Sequence, residues 1–92
     1  MRSSFDWDAQ RNADNRAKHG VDFETAQYAF LDPHRLIIHD AKHSKTEERW
    51  FCIGKVEDRV LTVRFTYRGN VIRIFGAAEW RKSRKLYEKH NS

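Results

Sequence analysis

Seventeen residues, Arg59 to Phe75, constrain this chain more than any other stretch. Leu61, Val63, Phe65 and Tyr67 alternate with Thr62, Arg64 and Thr66, the period of a strand with one buried face. After Arg68-Gly69-Asn70 the alternation resumes with Ile72 and Ile74, so Arg59–Tyr67 and Val71–Phe75 read as a hairpin. The apolar sets must share a face, which places Arg64 and Thr66 beside Arg73 and Phe75 on the other. That alignment requires a loop of two or four residues, because an odd-length loop without a bulge would mix the faces.

The remaining elements follow from caps and breakers. Ser4–Trp7 reads as a short edge strand, and Asp8 offers an N-cap oxygen to a helix over 9–19 ended by Gly20. The apolar side of that helix is thin (Ala9, Ala13, Ala17), which suits close packing on a sheet. Asp22 caps a second helix with a Phe23, Ala26, Phe30 stripe, stopped by Asp32-Pro33. Arg35–His39 is a short strand, expected to be covered on both faces, and 40–46 is a polar loop. Glu48–Ile53 is a further strand left at Gly54, and a helix spans 78–90. The expected fold is a single α+β domain over residues 1–92, in the order β-α-α-β-β-β-α. Helices pack on an antiparallel sheet of about four strands.

Charge narrows the function. Residues 47–92 hold eleven Lys or Arg against six Asp or Glu, while residues 1–46 balance seven against seven. A folded surface with this one-signed excess suits a polyanion, RNA or DNA, although a solvated basic surface also occurs without any such partner. The one cysteine, Cys52, excludes an internal disulfide and reads as a buried inert thiol. No apolar run approaches the roughly 20 residues of a membrane span, and the short charged start is no signal peptide. The expected location is cytoplasmic, with no membrane partner.

Several short motifs stand in a telling order: Trp7-Asp8, Lys18-His19-Gly20-Val21, Phe23-Glu24-x-Ala26, Glu47-Glu48-Arg49, Arg68-Gly69, Ile72-Arg73-Ile74 and Arg84-x-x-Tyr87-Glu88. Their order and spacing from about Phe5 to Glu88 resemble the BrnT family. That resemblance implies a RelE-like fold and a ribonuclease toxin of a type II toxin–antitoxin pair that inhibits translation. It also implies a cognate ribbon-helix-helix antitoxin, with DNA bound only through the antitoxin complex. One departure is visible. Many members follow the last strand with Ser-Ala-Arg, whereas Gly76-Ala77-Ala78 stands here.

Metal-independent RNA cleavage uses the ribose 2′-hydroxyl as nucleophile, so it needs a base, an acid and cations for the dianionic phosphorane. Arg64 and Arg73 are the candidates for charge stabilisation, unless a carboxylate such as Glu48 simply pairs with them. Arg68, Arg81, Lys82 and Lys85 are the candidates for RNA binding; Arg81, Lys85 and Lys89 recur as one helical stripe. His19 is the candidate for proton transfer, against the alternative of a helix-end hydrogen bond. Tyr87 is the second candidate, and Trp80 is expected to pack in the core. His39, Asp40 and His43 have no fixed geometry for a metal, and no cofactor is expected. A non-catalytic RNA-binding module is the alternative to the nuclease, and docking of an acidic protein segment is the third reading.

Overall fold

A computed structural model describes residues 4–92. Its strands are β1 (Ser4–Trp7), β2 (Leu36–His39), β3 (Trp50–Val56), β4 (Arg59–Arg68) and β5 (Val71–Ala78). Its helices are α1 (Ala9–His19), α2 (Phe23–Ala26) and α3 (Arg81–His90), with 3-10 segments at Gln27–Leu31 and Ala41–His43. The strands form one sheet in the order β1-β5-β4-β3-β2. The sheet has five strands and is mixed, not four and antiparallel, because β1 runs parallel to β5 with Phe5 opposite Ile72 and Asp6 opposite Arg73. A four-residue strand gives no local sign of its partner, and here the partner is the last strand of the chain. None of the described helices is long and apolar enough to cross a membrane.

The hairpin loop has two residues, one of the two lengths expected, with Arg68 opposite Val71 and Gly69 at φ 62°. Thr66 pairs with Arg73 and Phe65 with Ile74; a bulge then makes Phe75 the extra residue, so Arg64 faces Gly76. One face of the sheet buries Val63, Phe65, Ile74 and Cys52 under Phe23, Ala26 and Ala29. Burial pushes the Cys52 thiol up to about 12, which makes it inert. The opposite face is covered only in part: α3 lays Tyr87 over Ile53 and Val60, with Leu36 and Ile38 at the margin.

Four local readings need correction. The Ala9, Ala13 and Ala17 stripe of α1 is exposed, and no α1 residue is buried. The helix is fastened instead by asparagines. Asn15 Nδ2 donates to Ala77 O (2.8 Å) and Val21 O (2.9 Å), its Oδ1 accepts from Ala77 N, and Asn12 Oδ1 accepts from Phe23 N. Asn15 thereby satisfies the edge of β5 beyond the reach of β1. Second, β3 continues through Gly54, which is not an exit from the strand. A Cβ there would meet Ala29 O at 2.3 Å, so glycine admits the 3-10 segment onto the sheet. Third, β2 is an edge strand with Ile37 exposed, so only one of its faces is covered. Finally, β5 extends to Ala78 and α3 begins at Arg81, because Asn15 holds the ladder past Phe75.

Candidate RNA-binding face

The uncovered half of the α3 side carries the cations. Strand alternation places Arg49 and Phe51 of the β3 strand line, Arg64 and Thr66 of β4, and Arg73 of β5 on this face. Phe51, Arg64 and Gly76 form one cross-strand row, and Thr66 and Arg73 belong to the next. The absence of a side chain at Gly76 lets the Arg64 guanidinium lie on the backbone; a Cβ there would stand 2.5 Å from Nη2 and 3.0 Å from Nε. The Arg64 side chain is exposed and makes no hydrogen bond or ion pair among the described residues. Thus Gly76 gives an unpaired cation its seat.

The other guanidiniums on this face have partners. Arg73 Nη1 donates to Asp6 Oδ2 at 2.5 Å, and Arg68 Nη2 lies 3.4 Å from both Glu47 oxygens. Glu48 is not the partner of Arg64 or Arg73: its carboxylate pairs with His39, and its carbonyl accepts from Thr66 Oγ1 at 2.5 Å. Arg49, which the sequence reading passed over, places its guanidinium 4.4 Å from the Phe75 ring centroid. Its Nε is buried without a hydrogen bond, and Nη2 is 3.7 Å from Glu47 Oε1. Arg11 of α1 approaches the same ring at 6.0 Å. Alternation alone, Arg49-Phe51-Ile53, would have put Arg49 on this face.

Aromatic rings flank the cations. Trp80 is 41% exposed, not sunk in the core, and meets Phe51 edge-on with centroids 6.0 Å apart. As the N-cap of α3, Trp80 contributes no capping side chain, and Arg81 and Lys82 follow in a first turn without an acid. Cations at the positive end of a helix are unfavourable by the macrodipole, so this end attracts anions. Lys85 is exposed one turn on, while Ser83 and Tyr87 are buried.

Tyr87 is not at this centre. Its hydroxyl donates to Asp32 Oδ2 at 2.5 Å, a carboxylate that also accepts from Lys55 N (2.7 Å) and His34 N (2.9 Å). Burial, then the bond to Asp32 and its negative charge, push Tyr87 up to about 12. Burial opposes ionisation of Asp32, but the three hydrogen bonds outweigh it and hold that carboxyl below its usual value. His19 is exposed at the last position of α1, one turn beyond Asn15, and makes no hydrogen bond among the described residues. His39 and His43 are separated by partners, Glu48 for one and Asp40 for the other. Among the described residues no group of three or more His, Cys, Asp or Glu is placed to hold a metal.

This arrangement, an open strand face with one unpaired guanidinium, three paired ones and rings beside them, suits a nucleic-acid backbone with unstacked bases. No curated protein matches the chain. The model of the BrnT family, described as the ribonuclease toxin of a type II toxin–antitoxin system, matches residues 7–90. That span takes in every strand and helix except β1, of which only Trp7 falls within it. The chain therefore belongs to the BrnT family of ribonuclease toxins.

Proposed function

We infer that this chain cleaves RNA endonucleolytically without a metal and so inhibits translation. The ribose 2′-oxygen attacks the adjacent phosphorus as its proton passes to a base. The P–O5′ bond breaks, the leaving 5′-oxygen takes a proton, and a 2′,3′-cyclic phosphate remains. The observation that carries this reading is the exposed Arg64 guanidinium seated on Gly76 with no carboxylate of its own. Preorganised donors aimed at developing charge supply the largest share of such catalysis. Arg73 lies one pair away on the same face and exchanges Asp6 for a phosphate oxygen, while Arg68 exchanges Glu47. Arg49 on Phe75, with Phe51 and Trp80, offers stacking surface to flanking bases. Arg81, Lys82 and Lys85 extend the cationic track along α3.

His19 is the proposed proton-transfer group. Its ring makes no hydrogen bond among the described residues, and Asn15, one turn earlier, is bound to Ala77 beside Gly76. Tyr87 is left out, because its hydroxyl is committed to Asp32. A ribbon-helix-helix antitoxin neutralises the toxin, and DNA is contacted through that complex.

The test is cleavage of a labelled RNA in EDTA by the parent chain, Arg64→Ala and Arg73→Ala. Cyclic-phosphate ends from the parent, and a loss of about 100-fold in Arg64→Ala, are expected. The commitment of Tyr87 to Asp32 favours a second reading, a binding module without chemistry. Under that reading the variants weaken binding and lower its salt slope by about 0.7 per cation removed, yet no product forms from any of them.

A further inference from the structure

The face of the sheet opposite Arg64 carries a groove of about 900 Å³ that the nuclease reading does not use. Tyr28, Leu31, Ile37 and Tyr67 line it, and they are 54%, 71%, 41% and 52% exposed. They are four of the six large hydrophobic side chains exposed among the described residues. Phe5 and Phe30 continue the wall, their rings 5.3 Å apart. Such a concentration on one side of a small protein marks an interaction site. Among the described residues its only charged lining residue is Arg35, which is exposed. Arg35 Nη1 donates to the Asp32 carbonyl at 3.1 Å, and the side chain makes no ion pair among the described residues. Beside it lies the open edge of β2, where Ile37 points into the groove.

We propose that this groove docks an apolar segment of the cognate antitoxin that carries a carboxylate against Arg35. The proposal rests on the family assignment, which supplies the antitoxin, and not on the catalytic roles given to Arg64 or His19. Charge selects the occupant. A protein of net charge +5 with one unpaired guanidinium in an apolar groove complements an acidic, apolar segment. RNA fits poorly, because Leu31 and Ile37 offer phosphates nothing and one cation cannot track a backbone. A two-fold dimer through this groove would set like against like, Arg35 facing the same basic surface.

The experiment is binding of the full-length toxin to its purified cognate antitoxin, with Leu31→Asp, Ile37→Asp, Arg35→Glu and Arg64→Ala compared. Leu31→Asp and Ile37→Asp are expected to weaken the complex at least 100-fold, and Arg35→Glu about tenfold. Arg64→Ala should bind as the parent does, and Leu31→Asp should still cleave RNA at the parent rate. Hydrogen exchange on the unaltered toxin adds a measurement free of any folding defect: antitoxin should protect residues 27–37. A complex indifferent to all three groove variants, or protection confined to the Arg64 face, overturns the groove. So does a finding that Leu31→Asp disrupts only RNA binding or only self-association. No complex with the unaltered toxin overturns the antitoxin pairing itself, a failure distinguishable from that of the groove.

Discussion

The guanidinium of Arg64 rests on the backbone of Gly76, so near that a methyl group at position 76 would stand 2.5 Å from Nη2. The atoms in the way are the far end of a flexible side chain, which can swing aside. Gly76→Ala is therefore expected to change stability by less than about 1 kcal/mol while moving the cation off its seat. Cleavage of a labelled RNA should fall by about tenfold or more, since loss of placement alone costs that much. An unchanged rate would remove this pose of Arg64 from the mechanism.

Gly54 gives the opposite outcome from a similar clash. There a Cβ would meet the backbone of Ala29, at 2.3 Å from its oxygen and 3.0 Å from its carbon. Backbone inside a packed layer cannot swing away. Gly54→Ala should cost about 1–3 kcal/mol, read as a lower urea midpoint with an unchanged slope.

Tyr87→Phe separates structure from chemistry. Removing the hydroxyl leaves the buried Asp32 carboxylate with its two backbone donors and should cost about 1–3 kcal/mol. RNA cleavage per folded molecule should hold; a collapse of rate in well-folded protein would return Tyr87 to the reacting centre.

The same pair sets two pH limits. The lowered pKa of Asp32 adds stability that is fully present above the unfolded value of 3.8 and is lost as pH falls through the lower folded value. The raised pKa of Tyr87 adds stability that is complete below 10.0 and fades as pH climbs towards about 12. Thermal melts across both ranges should show the acid loss blunted in Asp32→Asn and the alkaline loss blunted in Tyr87→Phe.

Asn15→Ala tests what holds α1. It removes two donated bonds and one accepted bond, and leaves both polar groups of Ala77 short of a partner. A loss of about 2–3 kcal/mol is expected. Ala13→Ser, on the exposed side of the same helix, should stay within about 0.5 kcal/mol of the parent. Equal effects from the two would contradict the asparagine fastening.

The hairpin was legible because a strict period of two in Leu61–Tyr67 leaves one way to bury the apolar face, and that same alternation puts Arg64 and Arg73 on one face, in neighbouring cross-strand rows. The caps Asp8, Gly20 and Asp22 were legible because their chemistry is local. The partner of β1 was not, since pairing Phe5 with Ile72 is a decision made across 67 residues. The α1 face was misread for a plain reason: its only apolar residues are alanines, while the contacts are made by the polar Asn12 and Asn15. Alternation with Phe51 and Ile53 assigns Arg49 its face, but its contact with Phe75 is offered by a bulge, and a bulge has no reliable mark in the sequence. Trp80 and Tyr87 reversed the expected order, because α3 starts at Arg81 and turns Ser83 and Tyr87, not the preceding Trp80, toward the sheet.

The parallel pairing of β1 with β5 also has a bearing on timing. Asp6 is made 67 residues before Arg73, and their strands lie side by side in the finished sheet. A growing chain cannot assemble the cationic face until its fifth strand has emerged, so the surface that seats Arg64 and Arg73 is completed only after the four strands before it have been made.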